Sequence, residues 1–196
     1  MKYILIVTVT VLGIIIIAQL YFTFSLSDVE THRYTVISTK CDIEIRKYDP
    51  AVFISYAAEG GMFETQNDAF RNLAGYIFGG NSREQKIAMT APVQMEQNKK
   101  ESVMRFVIPS EYKMNELPKP DNSNVRMNEE PGFYAAAIRY SGFNNENKFI
   151  RHKKLLEEFI ANEKLKSAGE FIFLGYNPPF QWFGRKNEVM VKVEEP

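Results

Sequence analysis

Residues 51–80 read AVFISYAAEGGMFETQNDAFRNLAGYIFGG, and they carry one structural unit from start to finish. Val52-Phe53-Ile54-Ser55-Tyr56 is a β-branched and aromatic run, the composition of a strand. Gly60-Gly61 ends it. The hydrophobic period then changes. Phe70, Leu73, Ala74 and Ile77 recur at i, i+3, i+4 and i+7, which lays one apolar stripe along a helix. Asn67 or Asp68 is the expected cap of that helix. Gly79-Gly80-Asn81 is its expected stop, because glycine tolerates the left-handed conformation that follows a helix end.

The pattern extends on both sides. Upstream, Ile43-Glu44-Ile45-Arg46 alternates apolar and polar residues, as a half-buried strand does, until Asp49-Pro50 breaks it. Downstream, a strand pair is expected at residues 87–95 and 103–108. Residues 109–124 are polar with three prolines and read as a loop. The same order then recurs. Residues 133–140 form a strand that ends at Ser141-Gly142. Phe149, Leu156, Phe159 and Ile160 share a helix face, with Gly169 closing that helix. Residues 171–176 and 189–193 are strands. Tyr56-x-x-x-Gly60 aligns with Ile138-x-x-x-Gly142, so the chain reads as a duplicated strand–helix–strand–strand unit in pattern, without residue-level identity. Two helices and about eight strands make an α+β fold, a sheet closing toward a barrel with the helices packed outside.

The N-terminus is of another kind. No charged residue occurs from Ile4 to Phe24, and Lys2 is the only charged side chain before it. A helix needs about 20 apolar residues to cross the hydrocarbon core. A transmembrane anchor is therefore expected within residues 1–27. The rival is a cleaved secretory signal, with Ser25 and Ser27 as the small residues before a cut. Lys2 on one side, with Asp28 and Glu30 on the other, favours a single-pass chain with its domain on the non-cytoplasmic side. Cleavage would leave the domain secreted or periplasmic. Residues 28–33 read as a polar linker, and 34–196 as the domain.

Composition and motifs exclude several function classes. The 24 basic and 24 acidic residues balance, which argues against a nucleic-acid protein needing a basic excess. Cys41 is the single cysteine, so no intrachain disulfide forms. Cys41, His32 and His152 are the only Cys and His residues and lack zinc-site spacing, so no metal-ion site is expected. No nucleophile elbow, phosphate loop or dinucleotide fingerprint is present. Cys41 reads as a small buried residue opening a strand, and His32 as a solvated linker residue. His152 falls on or beside the apolar stripe of the second helix. It is either a stripe-edge residue with its tip in water or an axial ligand to a haem iron. Phe180-Gln181-Trp182-Phe183 places three aromatics in a loop, read equally as a ligand lip or partner contact and as a core lid. Arg185 and Lys186 follow, and cations at a pocket rim can pair with carboxylates.

Residues 81–93, centred on Lys86-Ile87-Ala88-Met89-Thr90-Ala91-Pro92-Val93, resemble the signature of the SOUL/haem-binding-protein family. Four further segments agree in order: Glu44-Ile45-Arg46-x-Tyr48; Phe70-Arg71-x-Leu73-x-x-Tyr76-Ile77-Phe78-Gly79; Leu117-Pro118-x-Pro120; and Tyr176-Asn177-Pro178-Pro179 with Arg185-x-Asn187-Glu188-Val189. The resemblance implies a distorted β-barrel flanked by two α-helices. It implies non-covalent binding of haem or a related tetrapyrrole, without catalysis. Carried over by position, it points to Arg71, Ile77 and Phe78 on the first helix, Met89 in the signature, and Trp182, Phe183 and Arg185 in the last hairpin. Neither histidine matches a family ligand. The signature also has a purely structural reading, since Pro92 and the small residues suit a bulge or sheet edge. The alternative function is a binding module for another amphipathic small molecule or a protein partner on the same fold.

Overall fold

The computed structural model describes residues 1–25 and 29–196, apart from the side chains of residues 18 and 20–25. Helix α1 spans Lys2–Ser25. Its Thr8 and Thr10 hydroxyls donate back to the carbonyls of Ile4 and Ile6, both at 2.9 Å. Among the described residues no helix is long and apolar enough to cross a membrane. Residues 26–28, where the expected cleavage point falls, lie outside the described residues.

The domain is built on nine antiparallel strands: β1 (Tyr34–Lys40), β2 (Ile43–Tyr48), β3 (Ala51–Glu59), β4 (Val93–Gln97), β5 (Glu101–Val107), β6 (Arg126–Glu130), β7 (Phe133–Ser141), β8 (Ile172–Gly175) and β9 (Lys186–Val193). Helices α2 (Met62–Ile77) and α3 (Glu146–Asn162) complete it. The sheet order is β1-β2-β7-β9-β8-β4-β5-β3-β6, a strongly curled half-barrel.

The duplication expected from the sequence is visible in that order. The unit β3-α2-β4-β5 pairs as β3·β5·β4, and the unit β7-α3-β8-β9 pairs as β7·β9·β8. The two units meet where β4 pairs with β8, so the centre of the sheet reads the same from either end. Each helix covers its own unit. Leu73, Tyr76 and Ile77 of α2 pack with Ile54, Met95, Met104 and Phe106. Leu156 and Ile160 of α3 pack with Ile138, Val189 and Val191. A third cluster, with Tyr48, Ala135, Ala137, Leu174 and Met190, lies on the alternate side chains of the same strands. Strand β7 is thus buried on both faces at Ala135-Ala136-Ala137, where only small residues stand.

Several local expectations are corrected. Helix α2 begins at Met62, ahead of Asn67 and Asp68. The Gln97 side-chain oxygen accepts from the Met62 N–H at 2.6 Å, and the Glu64 carboxylate accepts from the Gly61 N–H at 3.3 Å. Ala69, rather than Phe70, joins the buried stripe, and Phe70 stays 42% exposed. Gly79 does follow the helix end with φ +113°, and a Cβ on Gly80 would sit 2.8 Å from the Gly75 carbonyl oxygen. Helix α3 ends at Asn162, with Lys164 rather than Gly169 taking the positive φ next to its end. Strand β4 starts at Val93, because residues 87–92 serve as an irregular joint. Cys41 is exposed: with Asp42 it makes the two-residue turn between β1 and β2, and both have positive φ, as the twist-matched hairpin turn requires.

Candidate functional site

The signature segment organises a corner of the domain. Asn81 is buried, and its amide donates to the carbonyls of Tyr76 and Gln85 while its oxygen accepts from the N–H groups of Arg83 and Gln85. Thr90 is buried and its hydroxyl donates to the Val107 carbonyl at 2.5 Å, fastening the segment to the end of β5. Ala91 then pairs with the stretch before β1. Its N–H donates to the Glu30 carbonyl at 2.9 Å, and its carbonyl accepts from the His32 N–H at 3.1 Å. The residues read as a solvated linker are therefore pinned to the signature, and His32 is drawn inside.

His32 is 5% exposed. Its ring packs on Tyr48 at 4.9 Å and meets Phe53 edge-on at 5.5 Å. Nε2 lies 2.8 Å from the Asp49 backbone carbonyl. A carbonyl oxygen can only accept, so Nε2 carries the proton. Nδ1 is left as a bare lone pair, buried and without a hydrogen-bond partner. Burial lowers the His32 pKa, outweighing the Asp49 carbonyl and the carboxylates of Asp49 and Glu130, which raise it. The ring is neutral at pH 7. A buried acceptor without a partner costs about 1–3 kcal/mol; Arg185 Nε is likewise buried without a partner.

His32 lines a cleft of about 580 Å³. Val52, Val107, Ile108, Pro109 and Met114 give it apolar walls; Tyr112, Thr90 and His32 supply polar atoms; Arg33 and Lys113 are exposed cations that line it. The Glu30 carboxylate accepts from the Ser110 N–H at 3.0 Å and ties the two sides together. Glu30, Asp49 and Glu129 line it too, so the cleft has the size of a small-molecule pocket and a lining of mixed apolar and charged groups.

A second buried polar centre is complete within itself. Arg46 faces Glu188 in a bidentate pair at 2.7 and 3.0 Å. Arg46 also donates to Glu44 and to the Tyr48 hydroxyl. Tyr176 donates to Glu188 at 2.7 Å, and Lys186 stands 3.1 Å away. Burial pushes the Glu188 carboxyl up, but the bonds and charge of Arg46, with Lys186 and Tyr176, reverse that and leave its pKa lowered. With every polar atom paired, this network joins β2 to β9 and offers nothing to a ligand.

The residues anticipated from sequence lie elsewhere, and none lines the 580 Å³ cleft. Ile77 is buried in the α2 cluster, and Met89 packs half-buried against the same cluster. Arg71 and Phe78 are exposed on α2 and at its end. Trp182 and Phe183 are exposed in the loop between β8 and β9. Arg185, from that loop, donates to the carbonyls of Pro178 and Gln181, each at 2.7 Å, and lies over the Phe143 ring. His152 on α3 stacks on Tyr140 with centroids 4.1 Å apart. Its Nδ1 donates to the Lys148 carbonyl at 2.7 Å, which leaves Nε2 as the bare nitrogen.

A model of the SOUL heme-binding protein family matches residues 29–192. The chain belongs to this family. Mouse Heme-binding protein 2 is 30% identical over 163 residues, covering 78% of this chain and 79% of that protein. Heme-binding protein 1 of Xenopus laevis is 24% identical, covering 74% and 80%. Among solved structures, the EcmrR C-terminal domain superposes with TM-score 0.62 at 8% identity, over 83% of this chain and 99% of that one. A hydrolase from Listeria innocua gives 0.58 at 10% identity, over 81% and 94%. At such identities these two likenesses concern the SOUL fold alone. The family match also covers residues 29–33, consistent with their pairing to Ala91 as part of the SOUL domain.

Proposed function

We propose that this SOUL-family chain binds haem or a related tetrapyrrole non-covalently, without changing it covalently, and that its domain is tethered to a membrane by α1. The observation that carries the binding reading is His32: a buried neutral imidazole, its Nε2–H committed to Asp49, its Nδ1 unpaired, lining a cleft of about 580 Å³. Metal-bound histidines commonly donate their second nitrogen to a backbone carbonyl in this way, which fixes the tautomer. The relatives are named heme-binding proteins.

Haem would supply the iron and a flat apolar ring with carboxylate arms. The protein's part is to hold it. His32 would offer its buried, unpaired Nδ1, Val52, Val107 and Ile108 would meet the ring, and Arg33 and Lys113 would pair with the carboxylates in a lining that also holds Glu30, Asp49 and Glu129. A second reading keeps His152 as the anchor, favoured by an Nδ1 held on the Lys148 carbonyl, with Trp182, Phe183 and Arg185 as a ligand lip. Arg71 on α2, with Phe78 just after it and Met89 in the signature, would then form a separate wall, backed by the buried Ile77.

The tether reading rests on the uncharged run from Ile4 to Phe24 and on the exposed apolar side chains of α1. Lys2 ahead of it favours a non-cytoplasmic domain. The binding test is an absorption titration of the full chain in detergent micelles with ferric haem, against a micelle-only baseline. A saturable Soret shift at equal stoichiometry is expected. No shift beyond the baseline would sink haem and leave another amphipathic ligand or a protein partner.

A further inference from the structure

The loop between β8 and β9 is inside out. Its polar side chains turn inward: Gln181 is 2% exposed, receives a bond from Asn177 at 2.9 Å and donates to the Phe183 carbonyl at 2.9 Å. The Asn177 oxygen accepts from the Lys186 N–H at 2.6 Å. Arg185 donates to three loop carbonyls, those of Pro178, Gln181 and Asn177, and leaves its buried Nε unpaired. The large aromatics turn outward instead. Phe180, Trp182 and Phe183 are 50%, 55% and 65% exposed, and Phe143 beside them is 52% exposed. A loop with its backbone carbonyls and amide side chains bonded internally, and its aromatics outside, is shaped for surroundings that are not bulk water.

Its position identifies those surroundings. The Gln19 side chain of α1 donates to the Phe180 carbonyl at 3.0 Å and accepts from the Trp182 N–H at 3.0 Å. The loop therefore sits beside α1, six residues before the helix ends at Ser25, or roughly 9 Å along its axis. The uncharged run ends at Phe24, and the first acids follow at Asp28 and Glu30. If the end of that run marks the lipid–water boundary, the loop lies at the depth of about 5–10 Å to which interfacial segments bury their apolar face. Trp182, an apolar ring with a polar N–H, is of the kind that favours this zone, and Phe180 and Phe183 add apolar area beside it.

We infer that the 178–184 loop is a second membrane contact, in which Phe180, Trp182 and Phe183 insert into the interfacial layer of a phospholipid bilayer next to α1. This rests on the tether reading above. The contact fixes the tilt of the domain on the membrane, with the loop and α1 acting as two anchor points joined through Gln19.

Trp182 is the only tryptophan, so its emission reports this loop alone. The full chain is reconstituted in phosphatidylcholine vesicles and its flotation is followed together with Trp182 fluorescence. The expected result is co-flotation, emission quenched by lipids brominated near the glycerol end of the acyl chain, and iodide quenching several-fold weaker than for free tryptophan amide. A Phe180→Ser, Phe183→Ser variant should still float, by α1, and lose most of the lipid quenching. Co-flotation with Trp182 open to iodide and untouched by brominated lipid would overturn the loop contact and leave the tether standing. A chain that does not float overturns both.

Discussion

The Nε2–H of His32 donates to the Asp49 carbonyl at 2.8 Å, and that one bond decides which ring nitrogen is left bare in the interior. Asp49 begins the break between β2 and β3, while His32 is held by Ala91 of the signature. The signature's structural work and the candidate binding atom are thus the same piece of architecture.

The first consequence is a pH dependence. Burial lowers the folded-state pKa of His32 below the ordinary value of about 6.5. Above that value neither state binds the proton and stability is unaffected. As pH falls through it, the unfolded chain takes up a proton that the folded chain resists, so stability is lost down to the folded pKa. Urea unfolding at pH 7.5 and 5.5 should show a larger acid loss for the parent than for His32→Gln. Equal losses would contradict a buried neutral His32.

The Arg46–Glu188 pair gives a second prediction of the same sign, a loss of stability on the acid side. Glu188 has a lowered folded pKa, so its contribution is present above the unfolded carboxylate range and is lost as pH falls through the folded value. Glu188→Ala leaves a buried guanidinium uncompensated and should cost about 3–5 kcal/mol. Arg46→Met with Glu188→Leu should cost less than the single change. By contrast, removing Glu163 from its exposed partner Lys40 should leave the urea midpoint essentially unchanged. Urea midpoints at constant slope check all three.

Leu73 of α2 and Leu156 of α3 are each fully buried on the inner face of their helix. Either change to alanine should destabilise by about 2–5 kcal/mol, depending on how far the cavity collapses. Because the units share one sheet through β4 and β8, unfolding should stay a single cooperative step in both variants. Separate transitions for the two halves, seen by calorimetry, would count against the shared core.

Arg185 acts on its own loop. Arg185→Met should free the Pro178 and Gln181 carbonyls, raise amide exchange across residues 177–186 and lower Trp182 anisotropy, with little change in haem affinity if the ligand sits by His32. A loss of affinity several-fold or more would move the site to the hairpin and favour the His152 reading.

The sequence shows these features unevenly, for physical reasons. The two strand–glycine–helix units were legible because each carries a change of hydrophobic period marked by glycine. Strand β1 is almost wholly exposed and β6 reads RMNEE, so neither displays the alternation that reveals a strand. Arg46 looked like an outward polar residue because its partner Glu188 is 142 positions away. His32 was missed for the same kind of reason. Its local context is polar, and only the long-range pairing with Ala91 draws it inside. The hairpin aromatics were visible as an anomaly, but their relation to α1 depends on Gln19, a polar residue in an apolar run.

The most direct test of the binding account is the haem titration repeated on His32→Ala and His152→Ala in the full chain. Loss or displacement of the Soret band in His32→Ala, with the parent spectrum kept in His152→Ala, is the expected result. A His32→Ala protein that folds and gives the parent spectrum at the parent affinity would contradict the assignment of this cleft.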